Sequence, residues 1–181
     1  VMFNTLMKYS SGDFISRFDA DDVMAQGYLS EQIARLLDGA DMTMTWSTFV
    51  DKDFQPTSDV LALADYHPTG GRHREGTEGQ FMMKREVWQK LGGFQPWRCG
   101  ADTDFYIRAS ILGLSICVVE KFLYFRRIHE NSLTAHPDTN HDSKLRKDIH
   151  ATLREYGKEY RQSRRSLIVE PVTAEVCAVY E

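Results

Sequence analysis

The feature that most constrains the fold is a short apolar segment that runs directly into a cluster of acids. Residues 14–18 (Phe-Ile-Ser-Arg-Phe) have the composition of a buried strand, and Asp19, Asp21 and Asp22 follow at once. Strands that deliver polar side chains from their carboxyl ends are typical of α/β proteins, in which sites form at that edge of the sheet. The segment therefore predicts a sheet covered by helices, with a site beside these carboxylates.

The neighbouring segments supply the expected helices and strands. Apolar residues recur at helical spacing in residues 28–37, Gly39 ends that helix, and residues 42–50 form the next strand of a βαβ unit. Further elements are expected as follows: the end of a helix at 2–9, a strand at 81–84, helices at 86–91 and 102–112, and core strands within 115–126.

The remaining segments predict loops and a tail. Residues 51–80 lack strong periodicity, and the glycines and charges of residues 67–76 indicate a surface lid or connector. Residues 143–165 are strongly charged, which predicts an exposed helix or linker, and residues 167–179 predict one more strand. We therefore expect a core over 1–136 and a tail over 137–181.

Composition excludes several classes of protein. With 181 residues and 42% hydrophobic content, the chain is sized for one core. A net charge of −4 argues against a nucleic-acid surface or a polybasic membrane patch, so a small molecule or a glycan is the expected partner. No apolar run reaches the roughly 20 residues of a membrane helix. Three scattered cysteines fit reduced thiols, so we expect a cytoplasmic protein. A location at the inner face of the membrane is compatible with this expectation.

The acid cluster has two interpretations from the residues alone. Crowded carboxylates repel one another unless a cation neutralises them, and hard oxygen ligands suit Mg²⁺ or Mn²⁺. The alternative is a helix N-terminus, where Asp21 or Asp22 would accept hydrogen bonds from free N–H groups. The cluster also fits a hydrophobic strand followed by the DxDx(T/V) pattern of haloacid dehalogenase-like phosphatases, with Asp19 as nucleophile and Asp21 as acid/base.

Further motifs follow the cluster in a fixed order and favour a different family. Two motifs precede the acid cluster: Asn4 and residues 11–15 (Ser-Gly-Asp-Phe-Ile). Three motifs follow it: residues 82–88 with 91–94 (Leu-Gly-Gly-Phe), residues 100–105 (Gly-Ala-Asp-Thr-Asp-Phe) with Arg108, and residues 127–132 (Arg-Ile-His-Glu-Asn-Ser). Over residues 4–134 this series resembles the family 2 glycosyltransferases with the GT-A fold. The resemblance implies an α/β, Rossmann-related fold with a mixed, mostly parallel sheet flanked by helices. It also implies that the first strands of the nucleotide-binding half have no counterpart before Val1.

The resemblance assigns the donor and metal residues. It makes Asp19 and Asp21 the DxD pair, which would hold a Mn²⁺ or Mg²⁺ ion and the diphosphate of a nucleotide-sugar. A histidine in the place of His129 is the third metal ligand in related transferases, although a lone histidine is more often structural. The cofactor-binding residues implied are Asn4, Asp19, Asp21, Asp22 and Arg127. Surface arginines flanking a strand are the ordinary alternative for Arg127.

The resemblance also assigns the acceptor side of the site. Asp102 occupies the place of the catalytic carboxylate that deprotonates the acceptor hydroxyl. The family commonly has Glu-Asp where this sequence has Ala101-Asp102, which leaves Asp104 as an alternative base. Helix capping is the structural alternative for Asp102. Trp97 lies close to the base in sequence and is expected to stack on an acceptor sugar, whereas packing is the usual role of tryptophan.

The implied activity is the metal-dependent transfer of a sugar from a nucleoside diphosphate-sugar to a hydroxyl, with inversion at the anomeric carbon. A UDP-sugar is the donor that we expect. The acceptor would be a glycan, a lipid-linked sugar or a protein. A second copy or a larger parent polypeptide is expected to cover the exposed sheet edge. The phosphatase and a non-catalytic binding or assembly module remain the alternatives.

Overall fold

The computed structural model describes residues 2–60 and 79–163. The helices within these residues are α1 (Met2–Tyr9), α2 (Tyr28–Leu37), α3 (Arg85–Leu91), α4 (Ala101–Ile111) and α5 (Lys144–Ser163). The strands are β1 (Phe14–Arg17), β2 (Val23–Met24), β3 (Met42–Val50), β4 (Pro56–Val60), β5 (Phe81–Lys84) and β6 (Ile116–Arg127). The predicted helices and strands at 2–9, 14–18, 28–37, 42–50, 81–84, 86–91 and 102–112 are confirmed.

The strands form one mixed sheet in the order β1-β5-β3-β6-β2, and β4 pairs with β3. The predicted α/β class, a sheet flanked by helices, is confirmed, but the expected predominance of parallel pairs is not. Among the described strands only β3 and β6 pair in parallel, from Met42 with Ile116 to Val50 with Arg127. The reason is that β5 inserts between β1 and β3 and pairs antiparallel with both. The two strands of the predicted βαβ unit, β1 and β3, are therefore not neighbours, because β5 lies between them.

Helix α2 shows how packing selects one face of an amphipathic segment. Its buried residues are Tyr28, Gln32 and Leu36, spaced four apart, whereas Leu29 and Leu37 are exposed. Gln32 is accommodated because its side chain accepts a hydrogen bond from Thr43 on β3 and donates to the Tyr28 carbonyl. The apolar periodicity therefore located the helix, while its buried face includes a polar residue.

The main core lies between the sheet and helices α3 and α4. Its aromatic centre stacks Phe94 on Phe105 with ring centroids 4.5 Å apart, and Phe105 on Phe81 at 5.6 Å. The turn after α1 is joined to this core by Arg85, which donates to the carbonyl of Gly12 at 2.7 Å. Arg85 thus ties the segment before β1 to the start of α3.

The C-terminal segment contains the long helix α5, which packs on α4. Leu153 is buried, and a Cβ at Gly157 would lie 3.3 Å from Ile107 of α4. The predicted boundary at 136/137 stays a prediction. The predicted strand at 167–179 and the whole of the predicted loop at 67–76 lie outside the described residues. None of the described helices is long and apolar enough to cross a membrane.

Candidate active site

Asp19 lies just beyond the end of β1 and is held by Arg17. Its two carboxylate oxygens lie 3.2 Å from Nη2 and 3.4 Å from Nη1 of that guanidinium. Residues two apart in an extended strand point to the same side, so Arg17 and Asp19 project together. The arginine neutralises part of the negative charge of the cluster and orients the carboxylate.

Asp21 contacts His129, which follows β6. The distance from Oδ2 of Asp21 to Nε2 of His129 is 2.8 Å. Burial opposes ionisation of Asp21, but the hydrogen bond with His129 and the charge interactions with His129 and Arg127 outweigh it, so the pKa of Asp21 is lowered. Two residues separated by 108 positions thus meet at one point of the sheet edge.

Asp22 fastens the acid-rich turn to β6. It accepts one hydrogen bond from the Tyr124 hydroxyl and another, at 2.8 Å, from the backbone N–H of Arg127. Burial raises the pKa of Asp22, opposed by these hydrogen bonds and supported by the charges of Asp21 and Asp19. Because both carboxylate oxygens have protein donors, Asp22 positions the turn on which Asp21 lies.

The two arginines at the end of β6 have different surroundings. The guanidinium of Arg127 lies 5.2 Å from the centre of the Phe54 ring, and its buried Nε atom has no hydrogen-bond partner among the described residues. Arg126 lies over the Phe49 ring and lines the cavity described below. An unpaired buried N–H group is costly, so Arg127 retains donor capacity for a ligand.

The two candidate bases on α4 are separated by their surroundings. Asp104 is buried and bonds Arg108 through one oxygen, at 2.9 Å to Nε and 2.7 Å to Nη2. Burial raises the pKa of Asp104, and the Arg108 charge opposes this rise. Asp102 is half-buried in the first turn and lines the cavity, and its carboxylate accepts from the N–H of Thr103 at 2.9 Å. Of the two, Asp102 lies where an acceptor could reach it.

Asn4 has a structural environment. It is 2% exposed, and its amide donates to the Phe94 carbonyl at 2.8 Å while accepting from the Phe94 N–H at 2.9 Å and the Trp88 indole. A Cβ at Gly93 would lie 2.6 Å from its Oδ1, so this glycine makes room for the amide. These bonds explain the Leu-Gly-Gly-Phe motif and occupy the groups with which Asn4 was expected to bind a cofactor.

A cavity of about 350 Å³ joins the acid-rich turn to α4. Asp19 and Asp102 both line it, with Gly79 between them: a Cβ there would lie 3.8 Å from Oδ2 of Asp19 and 4.0 Å from Oδ2 of Asp102. Trp97 forms part of the wall and packs against Tyr156 of α5, with ring centroids 6.0 Å apart. The cavity brings together Asp19, Asp102 and Trp97, three of the residues predicted from sequence.

Asp21 and His129 form the pair that best fits a divalent cation. Among residues 2–60 and 79–163 there is no group of three or more His, Cys, Asp or Glu side chains placed to hold a metal. Mg²⁺ is commonly held by one or two carboxylates together with substrate phosphates and waters. A carboxylate and an imidazole 2.8 Å apart fit such a partial set, in which a bound substrate supplies further ligands.

Several residues at the site were missed by sequence reasoning. The pairing of Arg17 with Asp19 could have been predicted, because Arg17 lies two residues before Asp19 within an extended segment. Tyr124, Arg98, His141 and Arg146 gave no comparable signal, because the fold alone brings them to the site.

Comparison with known proteins places the chain in a family. The family model of glycosyl transferase family 2 matches residues 2–133, so the chain belongs to that family. Among solved structures, the catalytic domain of Drosophila β1,4-galactosyltransferase 7 in complex with xylobiose has a similar fold, with a TM-score of 0.51 and 13% sequence identity. The similarity covers 82% of this chain and 58% of that one, so the chain spans less than two thirds of its structural relative. No curated protein matches the chain.

Proposed function

We propose that this chain transfers a sugar from a nucleoside diphosphate-sugar to a hydroxyl, with inversion at the anomeric carbon, and that a divalent cation assists. The observation that carries the proposal is the shared cavity. Asp19 follows β1 and Asp102 lies in the first turn of α4, yet both lie beside Gly79 and line the same cavity. Family membership supports sugar transfer as the reaction for which such a site is used.

The donor end is proposed to lie at the acid-rich turn. Asp21 and His129 would hold Mn²⁺ or Mg²⁺, with Asp19 next to them and Arg127 able to donate to diphosphate oxygens. When bound, the cation would stabilise the charge that develops on the departing diphosphate. Asn4 and Asp22 are assigned to supporting the site, because protein partners occupy their polar groups.

Asp102 is proposed as the general base. The acceptor oxygen attacks the anomeric carbon, its proton passes to the Asp102 carboxylate, and the bond between the sugar and the diphosphate breaks in the same displacement. Asp104 is not suited to this role, since Arg108 holds its buried carboxylate. A single displacement needs one base and no protein nucleophile, which agrees with Asp102 being the one carboxylate of α4 that lines the cavity.

The test is a calorimetric titration of UDP, with and without Mn²⁺, into the wild-type chain, an Asp21→Ala variant and an Asp38→Ala control. Asp38 is exposed at the end of α2, so its removal makes the same chemical change away from the site. We expect Mn²⁺-dependent UDP binding in the wild type and the control, and its loss in Asp21→Ala. Equal binding by all three proteins would refute the donor site, and a passive binding module would show no metal dependence.

A further inference from the structure

One wall of the cavity comes from a part of the chain that the family model does not cover. The family match ends at residue 133, whereas Thr134, His141, Arg146 and His150 line the same cavity as Asp19 and Asp102. The last two lie on α5, which is seated on the start of α4: a Cβ at Gly100 would lie 3.5 Å from Nε2 of His150. The cavity therefore combines a wall inside the family match with a second wall that lies beyond the end of that match.

The second wall is basic although the chain as a whole has a net charge of −4. Arg146 is fixed by two hydrogen bonds to carbonyl oxygens, of Thr139 at 2.6 Å and of Leu133 at 3.3 Å. Carbonyl oxygens orient a guanidinium but do not neutralise it. Within the described part of the chain, neither Arg146 nor the exposed Arg98 forms an ion pair with a carboxylate.

These positive charges are concentrated near the proposed base. Burial raises the pKa of the Cys99 thiol, and the charges of Arg146, Asp102 and Arg98 all act on that same thiol. Arg98, Asp102 and Arg146 all line the same cavity, and Arg98 lies four residues before Asp102 in the chain. The positive charge of Arg17, by contrast, is already paired with Asp19 at the donor end.

We propose that Arg98, His141 and Arg146 form an acceptor subsite that binds an anionic group, a carboxylate or a phosphate, carried by the molecule that receives the sugar. The planar fork of arginine matches both groups, and a preorganised guanidinium loses little freedom on binding. This inference rests on the proposed function, since it names the class of acceptor for the same site. The subsite would hold the anion while the acceptor hydroxyl faces Asp102.

The experiment is an NMR titration of the ¹⁵N-labelled chain with three probes built on one sugar: methyl β-glucoside, methyl β-glucuronide and methyl β-glucoside 6-phosphate. The variants are Arg98→Gln, Arg146→Gln and Arg146→Lys, with Arg154→Gln as the matched control. Arg154 lies on α5 as well but is exposed and outside the cavity. Far-ultraviolet circular dichroism checks that each variant is folded. Arg146 holds a loop through the carbonyls of Leu133 and Thr139, so Arg98→Gln serves as the test if Arg146→Gln disturbs that loop.

We expect at least one anionic probe to bind with shifts at residues 97–103 and on α5, and the neutral glucoside to bind more weakly. Each Gln variant should weaken the anionic probe about fivefold to tenfold, Arg146→Lys less, and Arg154→Gln not at all. The better of the two anions identifies a carboxylate or a phosphate acceptor. Equal binding of charged and neutral probes, equal loss in Arg154→Gln, or no binding of any probe would overturn the proposal.

A repeat of the titration with UDP and Mn²⁺ present separates the two proposals. Retained probe binding is expected, because Asp21 and His129, which would hold the cation, are not among the residues that line the cavity with the subsite. Displacement of the probe by UDP would show that the arginines serve the donor, which overturns the acceptor subsite but leaves sugar transfer intact. Failure of UDP binding in the earlier calorimetric test would refute the donor site without altering the outcome for the probes.

Discussion

Replacing Asp104 with asparagine should destabilise the protein strongly, whereas the same change at Asp102, two residues earlier on α4, should not. Asp104 is 4% exposed and Arg108 is 0% exposed, and one carboxylate oxygen accepts two hydrogen bonds from the guanidinium. The substitution preserves volume but leaves Arg108 as a buried cation without its counter-charge. Breaking a buried pair by removing one partner costs about 3–5 kcal/mol, and this pair is buried enough for that range to apply.

Asp102 provides the internal comparison. Its half-buried carboxylate interacts with the N-terminal turn of α4, an interaction worth about 0.3–1 kcal/mol. Urea unfolding followed by tryptophan fluorescence gives the free energy of unfolding of each variant, and thermal midpoints give a second measure. For a domain of this size, Asp104→Asn should lower the midpoint by about 6–20 °C, at roughly 2–4 °C for each kcal/mol. A loss below about 1 kcal/mol in Asp104→Asn, or equal losses in both variants, would refute the assignment of Asp104 to structure and of Asp102 to the site.

Two further predictions concern the packing around the site. Gly93→Ala and Gly113→Ala both place a side chain at positive φ, 79° and 70°, but only at Gly93 would the new Cβ meet atoms closer than 3.0 Å, at Oδ1 of Asn4. Urea unfolding should therefore show that Gly113→Ala lowers the free energy of unfolding by about 1–2 kcal/mol, because of backbone strain. Gly93→Ala should lower it by about 3–5 kcal/mol, because the same strain is added to the displacement of the Asn4 amide. Equal losses in the two variants would contradict the role given to Asn4. Burial raises the pKa of the Cys99 thiol above its ordinary range, so less of the reactive thiolate is present at pH 8 than in an exposed cysteine. Peptide mass spectrometry after brief iodoacetamide treatment should show Cys117 modified well before buried Cys99, with the difference abolished in urea; equal native rates would contradict the burial of Cys99.

The local elements were accessible from sequence because short-range patterns encode them. The strand at 14–18, the helices at 28–37 and 102–112, and the glycines that end them follow from periodicity and from backbone preferences within a few residues. β2 and β4 were not predicted, because two to five residues without alternation carry too weak a pattern. More than one core strand was expected within residues 115–126, but β6 is a single strand there. An apolar composition does not show whether a segment continues as one strand or turns to form two.

The sequence by itself determined the family, the α/β class and the set of polar residues from which a site could be built. The tertiary structure decided what each of them does. Asp21 meets His129, Asp22 meets Tyr124, and Asn4 meets Phe94, all across more than 85 residues. Such partners depend on strand order, and here β5 enters between β1 and β3 against the local expectation. Local patterns record which residues prefer to be buried or exposed, whereas the distance between two remote side chains is fixed only when the whole sheet is assembled.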